Sequence, residues 1–130
     1  MFAGKRPKNL GVRDGKLAAC SGKPNCVSSQ AESARQRLAP LRFSGDSGAA
    51  MRRLRDVVDN ISGTTVIDEN DHYLYFECAT SLLVFVDDLE FLCDADEQVI
   101  HVRSASRLGY SDLGVNRKRV ESIRKKFELA

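Results

Sequence analysis

The sequence predicts a single α+β domain: an antiparallel sheet of about four strands, one helix before it and one after it, and an irregular N-terminal arm. Three observations predict it. Two segments carry apolar residues at helical spacing and bracket the middle of the chain. Between them lie four segments rich in β-branched and aromatic residues, separated by acidic turns. Over the first 45 residues no periodicity is sustained, and all three prolines (Pro7, Pro24 and Pro40) fall there.

The arm comes first. Residues 1–16 are basic and glycine-rich and read as a flexible tail, with the domain proper at 17–130. One short helical or extended piece is expected near Ser33–Leu38. The first helix is expected at about Asp46–Ser62. Ala50, Leu54, Val57, Val58 and Ile61 share one face there, Asp46 or Ser47 can cap its start, and Gly63 suits the position past its end. Arg52, Arg53 and Arg55 lie largely off that face, toward water or a partner. The strands are expected at Thr64–Asp68, His72–Ala79, Leu82–Cys93 and Val99–Ser104. Glu69-Asn70-Asp71 and Asp94-Ala95-Asp96-Glu97 form turns between them. Apolar residues on both faces of the first part of Leu82–Cys93 indicate a sheet covered on both sides. The last helix is expected at about Asn116–Glu128, with Asn116 as N-cap, a stripe of Val120, Ile123 and Phe127, and a Glu121–Lys125 pair.

Charge is strongly segregated. The 20 Lys+Arg and 18 Asp+Glu nearly cancel. Residues 1–60 hold 12 basic and 5 acidic side chains, residues 61–100 hold 10 acidic and none basic, and residues 101–130 hold 8 basic and 3 acidic. An acidic middle repels phosphate, so nucleic acid is disfavoured as a partner. With no Trp and 7% aromatics, a stacking platform for single strands is disfavoured too. The longest apolar run, Leu82–Val86, is far short of the ~20 residues of a membrane span. No signal-peptide core stands at the N-terminus. The expectation is a soluble, monomeric protein, cytoplasmic as the sequence is given, or periplasmic or envelope-associated if an export segment has been removed.

The acidic strand is the first candidate site. Asp87, Asp88 and Glu90 interrupt an apolar run. If Cys93 pairs with Gln98 across the turn, Glu90 faces His101 and Asp88 faces Arg103, all on one sheet face, with Asp87 on the other. A buried carboxylate needs a partner. The cluster is therefore either a satisfied ion-pair network or a polar site in which Asp88 or Glu90 acts as acid, base or ligand.

The second candidate is the small-residue stretch from Arg103 to Arg117, which includes Arg107, Ser111, Asp112 and Asn116 and leads into a helix start. Free backbone N–H groups there favour anions. Arg117, Lys118 and Arg119 crowd the first helical turn, where cations are disfavoured. Something negative belongs beside them: Asp87, Asp88 or Asp112, or an anionic ligand such as phosphate, a carboxylate or a lipid headgroup.

Sharper motifs fail. Gly109–Gly114 approaches a nucleophile elbow, but its spacing is G-x-S-x-x-G and no apolar strand leads straight into it. A Ser111–His101–Asp triad and a zinc site on His72 and His101 are both poorly supported. There is no phosphate-loop lysine motif, dinucleotide fingerprint or CxxC. No metal and no cofactor is expected. Cys78 and Cys93 lie in apolar runs and read as small buried hydrophobes. Cys20 and Cys26 flank a turn-rich segment, and both a disulfide and free thiols remain open.

Three stretches together resemble a known family. Leu17–Gln30 is similar to the "C…PNCVSSQ" opening of domain-of-unknown-function family 1499, Phe85–Phe91 to its "F-x-DD-x-EF" strand, and Arg103–Arg117 to its "RSASR-x-GYSDLG-x-NR" signature. The resemblance covers about residues 9–128. It carries over no activity, cofactor or catalytic residue. Relatives are bacterial and plastid proteins, many with an N-terminal hydrophobic or export segment, which favours an envelope location and a Cys20–Cys26 disulfide. The leading functional expectation is a non-enzymatic binding or accessory module taking a small anion or membrane headgroup at Asp88, Glu90, His101, Arg103, Arg107, Ser111, Asp112, Asn116 and Arg117. The alternatives are a small enzyme with an Asp or Glu acid–base and an Arg oxyanion stabiliser, and a purely structural or interaction domain.

Overall fold

Alternation through the acidic middle of the chain sets the architecture, because a strand shows successive side chains to opposite faces. The computed structural model describes residues 4–79 and 85–130. In chain order its elements are β1 (Val12–Arg13), β2 (Lys16–Leu17), β3 (Cys26–Ser28), β4 (Leu41–Arg42), α1 (Ser47–Asp59), β5 (Thr64–Glu69), β6 (Tyr73–Ala79), β7 (Val86–Asp94), β8 (Val99–Ser106) and α2 (Val115–Leu129). The class is α+β. Leu82–Val84, expected to begin the third strand, lie outside the described residues.

The main sheet has six strands rather than four, in the order β3-β8-β7-β6-β5, with β4 also on β8. The extra two come from the arm. β3 and β4 share one edge, on Arg103–Ala105 and on Val99–Ile100 respectively. With three and two residues, each is too short to show a period. The piece expected near Ser33–Leu38 is a turn, closed by an isolated bridge between Arg37 and Ser28.

One face of the sheet carries Leu74, Phe76 and Cys78 of β6, Leu89, Phe91 and Cys93 of β7, and Ile100 and Val102 of β8. Ala50, Met51, Leu54 and Val58 of α1 and Val120, Ile123 and Phe127 of α2 close over it. Burying side chains of this size stabilises by roughly 1.5–3 kcal/mol each. Phe76 and Phe91 meet edge to face at 6.2 Å. Cys78 and Cys93 are free and buried, and burial pushes the Cys78 thiol up to about 11. Arg53 stacks on the Phe127 ring at 4.4 Å, which ties the two helices.

The caps differ in detail from expectation. Asp46 caps α1 by accepting from Ala49 N–H, and the helix ends at Asp59 with Asn60 as its C-cap, three residues before Gly63. Gly63 has another reason to be glycine: its φ is +88°, and a Cβ would stand 2.5 Å from the Ala79 carbonyl oxygen. At α2 the cap residue is Gly114, not Asn116. Asp112 takes over that role, accepting from the N–H groups of Gly114 and Asn116 at 2.8 and 3.1 Å. Glu121 pairs with Arg124, one residue before the expected Lys125.

The opposite face is covered by the stretch expected as a tail. Asp14 and Gly15, both at positive φ, make the two-residue turn that joins β1 to β2. Leu17 of that hairpin and Leu10 pack on Tyr73, Tyr75 and Leu92. No helix of the described residues is long and apolar enough to cross a membrane.

Candidate functional site

The β7–β8 register decides which charges meet. Asp94 pairs with Val99 and Cys93 with Ile100, two residues away from the expected register. The turn is thus Ala95–Gln98, with Gln98 at φ +56° and Asp94 Oδ1 accepting from Glu97 N–H. A shift of two preserves the faces but changes the neighbours. Glu90 lies opposite Arg103, not His101, and Asp88 lies opposite Ala105, not Arg103.

Four of the expected site residues converge on the arm-covered face. Arg103 Nη1 donates to Glu90 at 3.3 Å. The same carboxylate accepts the Tyr73 hydroxyl at 2.6 Å and the Gly11 N–H at 2.8 Å. Arg107 makes a fork onto Asp88, with Nε and Nη2 at 3.0 and 2.8 Å, and Tyr75 donates its hydroxyl to Asp88. Arg107 also reaches Glu77, which holds Arg6 of the arm at 2.8 Å. Three carboxylates thus meet three guanidiniums. Glu90 and Asp88 are 0% and 1% exposed, so these two carboxylates are sealed from water, while Glu77 at the edge is half-buried.

The electrostatics follow from that sealing. Burial first, then the hydrogen bond to Glu90, drives the Tyr73 phenol far above its ordinary value, so it stays a donor. Tyr75 is raised in the same way by burial and Asp88. The Asp88 hydrogen bond raises Arg107 against its own desolvation. Burial alone would raise Glu77, but hydrogen bonds from Arg107 and Arg6 outweigh it and hold the carboxyl below the usual range.

The other expected residues lie elsewhere. His101 stands opposite Leu92, its Nδ1 3.0 Å from Ser29 Oγ, and burial lowers its pKa. Asn116 is fully buried at the start of α2, on the helix side of the sheet. It accepts from Ser104 and Arg119 and donates to Ser106, Asp112 and the Asn25 carbonyl. Arg119 continues to Asp87 at 2.7 Å, the negative neighbour its helical turn requires. Arg117 instead donates to the carbonyls of Arg35 and Arg37. Ser111 sits in the exposed loop and accepts from Leu113 N–H.

Sequence reasoning missed Tyr73, Tyr75 and Glu77, although they alternate with the core residues Leu74, Phe76 and Cys78. It also missed Arg6, whereas it placed Arg119 beside a carboxylate with Asp87 among the candidates. The helix-side network also ties down Asn25: its side chain donates to the Gly109 carbonyl at 2.8 Å and its carbonyl accepts from Ser106 N–H.

One opening touches the buried part of the cluster. A cleft of about 320 Å³ lies between the arm, the Cys20–Cys26 disulfide and the end of β8. Its lining includes Asn9, Lys23, Asn25, Arg103, Ser106 and Arg107, and no carboxylate. Arg103 is only 6% exposed, and among the described residues its Nε finds no hydrogen-bond partner. A buried guanidinium N–H without an acceptor costs about 1–3 kcal/mol. Among the described residues, no group of three or more His, Cys, Asp or Glu side chains gathers as a metal would need.

No curated protein matches the chain. Residues 16–127 match the family described as "Protein of unknown function (DUF1499)". That match spans the arm's disulfide loop, the acidic strand and the loop before α2, and the chain belongs to the DUF1499 family.

Proposed function

We propose that the protein is a non-enzymatic binding module that takes an anionic group in the cleft beside Arg103 and Arg107. The observation that carries this reading is the buried Arg103, which lines an open, carboxylate-free cleft with its Nε unsatisfied. Three guanidiniums balance three carboxylates behind the cleft, and Lys23 at its rim adds a further cation. A phosphate or carboxylate would accept from Arg103 and neutralise that excess. Asp88 and Glu90 favour binding over acid–base chemistry, because both are buried and already hold hydrogen bonds from tyrosine and arginine.

Titration with inorganic phosphate, followed by backbone amide shifts, tests it. The reading expects saturable shifts at residues 20–26 and 103–109, and weaker binding in Lys23→Ala, whose side chain is exposed and outside the core. If phosphate and acetate leave both segments unmoved, the reading falls.

A further inference from the structure

Exposed apolar side chains gather around the loop that follows the cleft. Leu113 is 88% exposed and Tyr110 68%, and Phe85 and Val115 stand beside them at 43% and 41%. Four of the six exposed large apolar residues among those described are therefore in one place. Leu113 holds φ +56°, a left-handed conformation that a branched residue adopts at a cost. Its side chain gains no burial in return.

Leu113, Val115 and Phe85 border a groove of about 260 Å³ that also takes in Val86 and Leu108. The two acids there are engaged inward, Asp87 by Arg119 and Asp112 by the α2 backbone and Asn116. Ser106 and Gly109 line both this groove and the cationic cleft, so the two share a wall. Tyr110 lines a further cleft with Arg35 and Arg117, and Ser111 and Asp112 line both that cleft and the groove. Lys118 is exposed one residue on.

We propose that this loop is a docking site for the surface of an anionic lipid bilayer. A lipid phosphate enters the Arg103–Arg107–Lys23 cleft, and Leu113, Tyr110, Val115 and Phe85 dip into the interface. The proposal rests on the anion-binding reading and adds its source. Charge complementarity selects the occupant: an apolar tip with Arg35 and Arg117 in the cleft beside Tyr110, Lys23 in the anion cleft and Lys118 exposed on the first turn of α2 matches acyl chains beneath anionic headgroups. Tyrosine suits the headgroup depth, where its ring is buried and its hydroxyl stays wet.

Co-sedimentation with vesicles of phosphatidylglycerol and phosphatidylcholine, compared with vesicles of phosphatidylcholine alone, tests the docking on the full chain. Phosphate titration runs beside it as the soluble source. Binding is expected to the anionic vesicles only. Leu113→Ser should reduce it about tenfold or more, in keeping with the loss of one buried leucine, while leaving phosphate binding unchanged. Leu129→Ser, equally exposed at the far end of α2, should leave vesicle binding as it was. Phosphate binding without vesicle binding overturns the membrane proposal and spares the anion reading. Vesicle binding that ignores Leu113→Ser overturns the docking geometry. If neither phosphate nor vesicles bind, both readings fall.

Discussion

Glu90 and Arg103 face each other across the central strand pair, and both are buried, with the guanidinium Nη1 3.3 Å from the carboxylate. Every other contact in the arm-covered cluster is arranged around such pairs. The carboxylate is fully served, by Arg103, Tyr73 and Gly11. The guanidinium is not.

Glu90→Gln should destabilise by about 3–5 kcal/mol, because it leaves the Arg103 charge buried without a counter-charge. Tyr73→Phe removes only the hydroxyl and should cost about 1.5–3 kcal/mol. Chemical denaturation of both variants checks the order as well as the size.

Asp87 and Arg119 tie the first turns of α2 to the sheet. A double-mutant cycle with Asp87→Asn and Arg119→Met should return a coupling of about 0.5–3 kcal/mol. Additive single effects would mean that the pair does not hold the helix.

Breaking the Cys20–Cys26 bond releases a loop whose ends are six residues apart in sequence. Loop-closure entropy alone predicts a loss of about 2 kcal/mol. Lys23 and Asn25 lie inside that loop, so the double Cys→Ser variant should also bind phosphate more weakly than wild type.

Acid should weaken the fold in two windows. Glu77 and Asp112 are held below the usual carboxylate range in the folded chain; burial opposes this, and hydrogen bonds from Arg107 and Arg6, and from Asn116 and Gly114, prevail. Their contribution is present above the unfolded value and is lost as pH falls through the folded one. His101 is also lowered, chiefly by burial, from 6.5. The folded state therefore resists protonating it, and stability drops as pH falls below about 6.5 toward the folded value. Urea midpoints across pH 3–8 should fall in both windows. His101→Gln should flatten the upper one and Glu77→Gln with Asp112→Asn the lower.

Much of this was legible in the residues. Helical spacing located α1 and α2, and alternation located β5 to β8, because long amphipathic elements repeat their signal several times. β1 to β4 were not legible, since two or three residues carry no period. Asp14-Gly15 was the one local sign of the first hairpin, and it sat in a stretch read as tail. The faces of Asp88, Glu90 and Arg103 could be derived, because parity survives a shift of two. Their neighbours could not, because the turn residue Gln98 takes a left-handed conformation that glutamine does not advertise. The arm's role over Glu90 and Glu77 depends on contacts 71 and 79 residues apart in sequence, beyond the reach of any local pattern.

The side-chain Nε–H of Arg103 reports most directly on the central claim. In a proton–nitrogen correlation spectrum of the guanidinium region, inorganic phosphate should shift that resonance saturably, and Lys23→Ala should move the midpoint to higher phosphate. An Arg103 Nε–H signal that stays in place up to saturating phosphate, while the protein remains folded, would contradict the account.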